Sequence, residues 1–115
     1  MIKTKRIYES PAGEDGFRIL VDRLWPRGVQ KEKAKINLWL KESAPSDELR
    51  KWFAHDPQKW EEFKKKYEKE LATKQEVLNE IRRIEKEKGA VTFLYSAKDT
   101  KHNNGVALKT ILEKK

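Results

Sequence analysis

The residues Ala90-Val91-Thr92-Phe93-Leu94-Tyr95 form a nearly continuous β-favouring run. A strand with one wet face alternates apolar and polar residues, whereas a strand of a parallel sheet covered on both faces reads as an unbroken apolar run. This segment is therefore predicted to be the central strand of a parallel sheet. Downstream lies the polar stretch Ser96-Ala97-Lys98-Asp99-Thr100-Lys101-His102, and from near Asn103 the residues Val106, Leu108, Ile111 and Leu112 recur at helical spacing. Strand, polar loop and helix together make the repeating unit of an α/β domain.

Upstream of the run the helical signals are strong. Thr73 and Glu76 have capping-box spacing, Val77, Leu78, Ile81 and Ile84 follow on one face, and Gly89 is placed to end the helix. Before that, Asp56-Pro57 reads as an N-cap with proline at the first helical position, ahead of an apolar stripe of Trp60, Phe63, Tyr67 and Leu71. Ser46 is the predicted N-cap of a shorter helix that carries Leu49, Trp52 and Phe53 and ends near His55.

Three further segments favour strands. Ile2 to Tyr8 precedes the turn-rich Ser10-Pro11-Ala12-Gly13-Glu14-Asp15-Gly16, and Phe17 to Leu24, a strand or an extended crossing segment, stops at Trp25-Pro26, where the proline forces Trp25 away from helical geometry. Ile36, Leu38 and Leu40 alternate, and a strand there would bury all three. The alternation of strands and helices predicts an α/β fold, a small parallel-rich sheet flanked by helices. No repeat, linker or composition shift divides the 115 residues, which are predicted to form a single compact domain over 1–115.

The net charge is +8, so polyanions are attracted whether or not they are the biological partner. Residues 1–35 carry nine basic and five acidic side chains, while 58–88 carry ten and eight, so the long middle segment is charge-mixed rather than basic. The absence of cysteine removes disulfides, thiolate metal sites and every cysteine-nucleophile mechanism. No apolar run approaches the roughly 20 residues of a membrane span and no signal core opens the chain, so no membrane partner and a cytoplasmic location are expected. The P-loop, dinucleotide-binding and nucleophile-elbow motifs are missing, and no cofactor is expected.

Two segments concentrate the residue types that bind anions. In Asp22-Arg23-Leu24-Trp25-Pro26-Arg27-Gly28, Arg23 and Arg27 stand four residues apart around a stiff Trp25-Pro26 and a permissive Gly28, a loop able to aim two guanidinium forks at one phosphate or carboxylate. The competing reading has both arginines paired with Asp22 and other acids, and Trp25 plugging the core. The second is the loop after the central strand, where Tyr95, Ser96, Lys98, Asn103 and Asn104 are candidate ligand contacts. In it His102 beside Asp99 is a candidate acid or base with its orienting group. Helix capping is the alternative employment for Asp99, Asn103 or Asn104. His55 and Asp22 complete the candidate catalytic set, although Asp56 has a sufficient role as a cap and His55 can equally be a surface or hinge residue. The two histidines lack ligand spacing, and no metal site is expected.

These same residues carry a resemblance. Val21 to Gly28, Trp52-Phe53-Ala54-His55-Asp56-Pro57 with Trp60, Phe63 and Tyr67, and Tyr95 to Asp99 with His102-Asn103-Asn104 resemble the YeaO-like group of uncharacterised bacterial and archaeal proteins, a domain of unknown function. The resemblance spans nearly the whole chain. It implies a compact α/β fold, no settled activity, and a common purpose for the polar segments. Gly105 stands where the family pattern implies alanine, a departure expected to loosen the start of the last helix. The expected function is binding of a small anionic ligand in an arginine-rich pocket, with acid–base catalysis as a further step. The alternatives are a nucleic-acid-binding module using the basic surface and a protein-interaction domain.

Overall fold

A computed structural model describes residues 1–114. Four strands, β1 (Ile2–Arg6), β2 (Phe17–Leu20), β3 (Leu38–Trp39) and β4 (Val91–Tyr95), form one sheet in the order β1-β4-β2-β3. Every pair is parallel: Ile2 lies opposite Val91, Phe17 opposite Val91 on the other side, and Ile19 opposite Leu38. The 90–95 run is thus an inner strand, hydrogen-bonded along both edges, and all five residues of β4 are buried. Among the described residues five helices accompany the sheet: α1 (Lys31–Ala34), α2 (Asp47–Phe53), α3 (Trp60–Ala72), α4 (Gln75–Lys88) and α5 (Asn104–Glu113).

The unbroken apolar character of β4 has a direct cause in the two layers that cover it. Val91 and Phe93 join Ile19, Val21 and the inward faces of α2 to α5 in the main core. Leu94 turns the other way and joins Leu20, Ile7 and Ile36 under Trp25, Val29, Ala34 and Trp39. The second cover is mostly irregular chain, residues 21–37 with the single turn of α1. Its tryptophans meet edge to face, centroids 5.2 Å apart. On this same face Asp15 and Arg18 are 2% and 3% exposed and form an ion pair. Asp15 also accepts from Lys5 Nζ and the Ala12 N–H, and the Arg18 guanidinium donates to the Ala34 carbonyl through Nε and Nη2.

Several boundaries differ from those the sequence predicts. β1 and β2 pair over fewer residues than the apolar runs, although Ile7 N–H still bonds to Tyr95 O and Val21 N–H to Leu94 O. Around β3 only Leu38 and Trp39 are strand, and the register does not bury Ile36, Leu38 and Leu40 together. Leu38 and Leu40 face the main core, whereas Ile36 precedes the paired segment and packs in the opposite cluster. Thr73 does not cap α4. Its hydroxyl donates back to Glu70 O at the end of α3, Lys74 occupies the cap position, and no side chain caps that helix. The other punctuation is as predicted. Ser46 Oγ accepts from Leu49 N–H, Asp56 from Gln58 N–H, and Gly89 ends α4 at φ 82°.

A cleft at the carboxyl ends of the two inner strands

Because all strands run the same way, their carboxyl ends and the loops that follow lie on one edge. After β2 the chain leaves for the face covered by residues 21–37, and after β4 it enters α5 on the main-core face. Loops that part in this way open a crevice between neighbouring strands, where open α/β sheets bind ligands. Here the crevice is a cleft of ≈ 720 Å³, within the usual size range of small-molecule sites.

Of the residues singled out above, Asp22, Arg23, Trp25, Arg27, His55, Ser96, Lys98, Asp99, Asn103 and Asn104 line it. The two loops meet through Asp22. Its carboxylate accepts from Ser96 N–H at 3.0 Å and Asn104 Nδ2 at 3.3 Å, and Asn104 Nδ2 also donates to Val21 O. Burial pushes the Asp22 carboxyl up from its ordinary range, against the hydrogen bonds from Ser96 and Asn104 and the nearby His55 that pull it down.

The arginines do not pair with Asp22. Arg23 uses only Nε, toward Pro45 O at 3.3 Å and Asp47 at 3.7 Å, and Arg27 forms no ion pair among the described residues. Trp25 is half-buried, covering the smaller core cluster while also lining the cleft, with its Nε1 donating to Val29 O. With Val29 N–H reaching Pro26 O, this closes a turn in which Gly28 sits at φ 75°. Gly28 therefore shapes the loop but does not line the cleft. We predict that Gly28→Ala lowers stability by about 1–2 kcal/mol, the penalty for a side chain in the left-handed region, measurable by urea unfolding.

Two other candidates also lie outside the cleft. Tyr95 is buried in the core, and burial raises its hydroxyl pKa. His102 sits behind Asp99, its Nδ1 2.9 Å from Asp99 Oδ2 and its ring edge-on to Trp60. Asp99 is held below the usual carboxylate range by the backbone N–H of Lys101 and the His102 side chain. Asn103 is the N-cap of α5, accepting from Val106 N–H. An alanine Cβ at Gly105 would lie 3.1 Å from Tyr95 Cδ1 and 3.2 Å from Asn103 Oδ1. Glycine there lets the first turn of α5 sit close on the end of β4, and the Asn103 cap holds the helix start.

The cleft also contains residues that sequence reasoning assigned elsewhere or passed over. Phe53 and Phe63, stacked 4.3 Å apart, were expected only as core; both also line the cleft, with Tyr8, Leu24, Pro45 and Arg50. Arg6 braces it from behind, donating to Ala97 O and Ser96 O while lying over the Tyr8 ring. A signal for Arg6 and Tyr8 existed: they end a strand parallel to β4, so they share the edge that bears the site. Ala54 and His55 both adopt left-handed backbone, φ 47° and 58°, where α2 ends.

A small parallel α/β domain with its cleft at the switch point is the class that fold and site define. Comparison with known proteins places it further. The whole chain, residues 1–115, matches the family described as "Inactive DUF488-N3 subclade", and it belongs to that family. It is 42% identical to the uncharacterised protein YeaO of Escherichia coli over 93% of this chain and 92% of that protein. It is 43% identical to uncharacterised proteins of Mycobacterium tuberculosis and Mycobacterium bovis over 61% of this chain, a match that spans 59% of their length. No solved structure matches it significantly. No helix among the described residues is long and apolar enough to cross a membrane.

Proposed function

We propose that the cleft binds a small anion bearing phosphate or carboxylate, in the cytoplasm, without turning it over. The observation that carries this reading is the charge of the lining: Arg23, Arg27, Arg50 and Lys98 outnumber Asp22 and Asp99, and although Asp47 pairs with Arg23 and Arg50, Arg27 and Lys98 carry no ion pair among the described residues. Arg27, with no ion pair among the described residues, is the cation most ready to exchange water for a ligand. The start of α5 at the cleft, marked by Asn103 and Asn104, adds the positive end of a helix dipole. Two consecutive non-glycine residues in the left-handed region at His55 fit a site where local strain is retained.

Binding is favoured over catalysis for two reasons. The family description carries the word inactive. Among the described residues the one histidine–carboxylate pair sets its imidazole against Trp60 and brings only its carboxylate to the cleft lining, and His55 has no carboxylate hydrogen-bonded to it. The test is calorimetric titration with inorganic phosphate, phosphorylated metabolites and carboxylates. At least one should bind, and Arg27→Ala should weaken it about 10- to 100-fold, the loss of one charge-assisted hydrogen bond. Arg27 is exposed, so the variant should unfold at the wild-type temperature. Absence of any binding, or binding indifferent to Arg27→Ala, overturns the proposal.

A further inference from the structure

The cleft has an apolar half that a bare anion would leave unused. Among the described residues the large hydrophobic side chains exposed to solvent are Met1, Tyr8 at 50% and Leu24 at 64%, and the last two both line this cleft. Single exposed apolar residues are unremarkable, but two of the three line one crevice together with the stacked Phe53 and Phe63, which makes part of its wall apolar. An inorganic ion would fill a small part of ≈ 720 Å³.

Asp22 adds a second constraint. A carboxylate is unsuited to touching an anion, yet this one lies among the lining residues, held by Ser96 and Asn104. A carboxylate has about four acceptor positions, and these two bonds occupy two. Its remaining capacity suits an N–H or O–H donor on a ligand. Resting on the anion-site reading above, we infer that the ligand is a mononucleotide-like monophosphate. A flat ring lies against Phe53, Leu24 and Tyr8 and donates a hydrogen bond to Asp22, while its phosphate meets Arg23 and Arg27. Aromatic and apolar walls accept any nucleobase by its face, and the donor to Asp22 then selects among bases.

The experiment is calorimetry on the full chain with inorganic phosphate, the four common nucleoside 5′-monophosphates and their uncharged nucleosides, using wild type, Asp22→Asn and Arg27→Ala. At least one nucleotide should bind tenfold or more tighter than either phosphate or its own nucleoside. Asp22→Asn should reduce the preference for that nucleotide over phosphate about tenfold, as expected for one hydrogen bond to a charged group. Arg27→Ala should weaken both.

If nucleotides bind no tighter than phosphate, or Asp22→Asn leaves their preference over phosphate unaffected, this inference fails and the anion site stands. If neither phosphate nor nucleotide binds, this inference fails and the anion site rests on the other phosphorylated metabolites and the carboxylates of the titration above; if Arg27→Ala changes nothing, the anion site fails and takes this inference with it. Should Asp22→Asn not fold, the wild-type ranking of nucleotide, nucleoside and phosphate decides alone.

Discussion

Asp15→Asn is expected to lower the stability of this domain by about 3–5 kcal/mol, because it leaves the Arg18 guanidinium charged, buried and without its carboxylate. Arg18 is 3% exposed, so water cannot take over the lost partner, and its remaining bonds go to the neutral Ala34 carbonyl. Domains of this size hold about 5–15 kcal/mol in total, so the loss should bring the melting temperature down by roughly 10–20 °C. The pH dependence follows from the same cluster. Burial pushes the Asp15 carboxyl up, but the Ala12 N–H, Lys5 and Arg18 outweigh it and hold it below the ordinary range. A carboxyl depressed in the folded state contributes stability that is complete above its unfolded value. That stability is lost as pH falls through the folded one. Wild type should therefore lose stability on acidification below about pH 4, and Asp15→Asn should show a shallower acid limb. Asp15→Asn with Arg18→Met should cost less than the sum of the single changes, because neither charge is then orphaned. A loss under about 1 kcal/mol for Asp15→Asn would refute the account.

How far the sequence foretells the fold depends on what each element answers to. β4, α3 and α5 are legible because their pattern is set by burial, which repeats along the chain: a two-sided core strand has no polar alternation, and the Trp60 to Leu71 stripe has one apolar face. β3 is barely legible. It pairs over two residues at the sheet edge, and there the packing of Ile36 is decided by the turn at Lys35, φ 52°, rather than by strand periodicity. Thr73 departs from its capping-box spacing for a similar reason. A hydroxyl between two helices can bond forward or backward, and the tight Thr73-Lys74 link leaves the Glu70 carbonyl within reach.

At the cleft, residue type located two loops, and parallel topology brought them together. Asp22 and Asn104 were visible as polar residues, but their mutual bond joins positions 82 apart in sequence, which no local pattern encodes. Phe53 and Phe63 satisfy a helical stripe, and periodicity cannot tell a core face from a face that is also the floor of a cleft. His102 shows the reverse. Its spacing from Asp99 does produce the pair, yet the Trp60 ring it packs against comes from α3, distant in sequence.

Gly16→Ala should be about as damaging, costing about 3 kcal/mol or more, for a reason invisible in the turn-rich composition of residues 10–16. Gly16 has φ 68° and ψ −137°, a region essentially restricted to glycine. A Cβ there would lie 2.3 Å from Ala90 O and 2.8 Å from Ala90 C, backbone atoms that cannot swing aside. The closeness is needed because Phe17 N–H bonds to that same Ala90 O, the first rung joining β2 to β4. To accept a methyl group the start of β2 must move away from β4, and Asp15, next in the chain, must move with it, although Thr92 Oγ1 holds its carbonyl. Strain, steric overlap and a disturbed buried ion pair therefore add at one position. Chemical denaturation of Gly16→Ala measures the sum. A variant within about 1 kcal/mol of wild type would mean that the β2–β4 entry yields cheaply. The expected outcome also bears on the site. Asp22 and Ser96 are carried on the far ends of these same two strands, so a variant that still folds should show weaker Arg27-dependent anion binding as the two walls lose their common register.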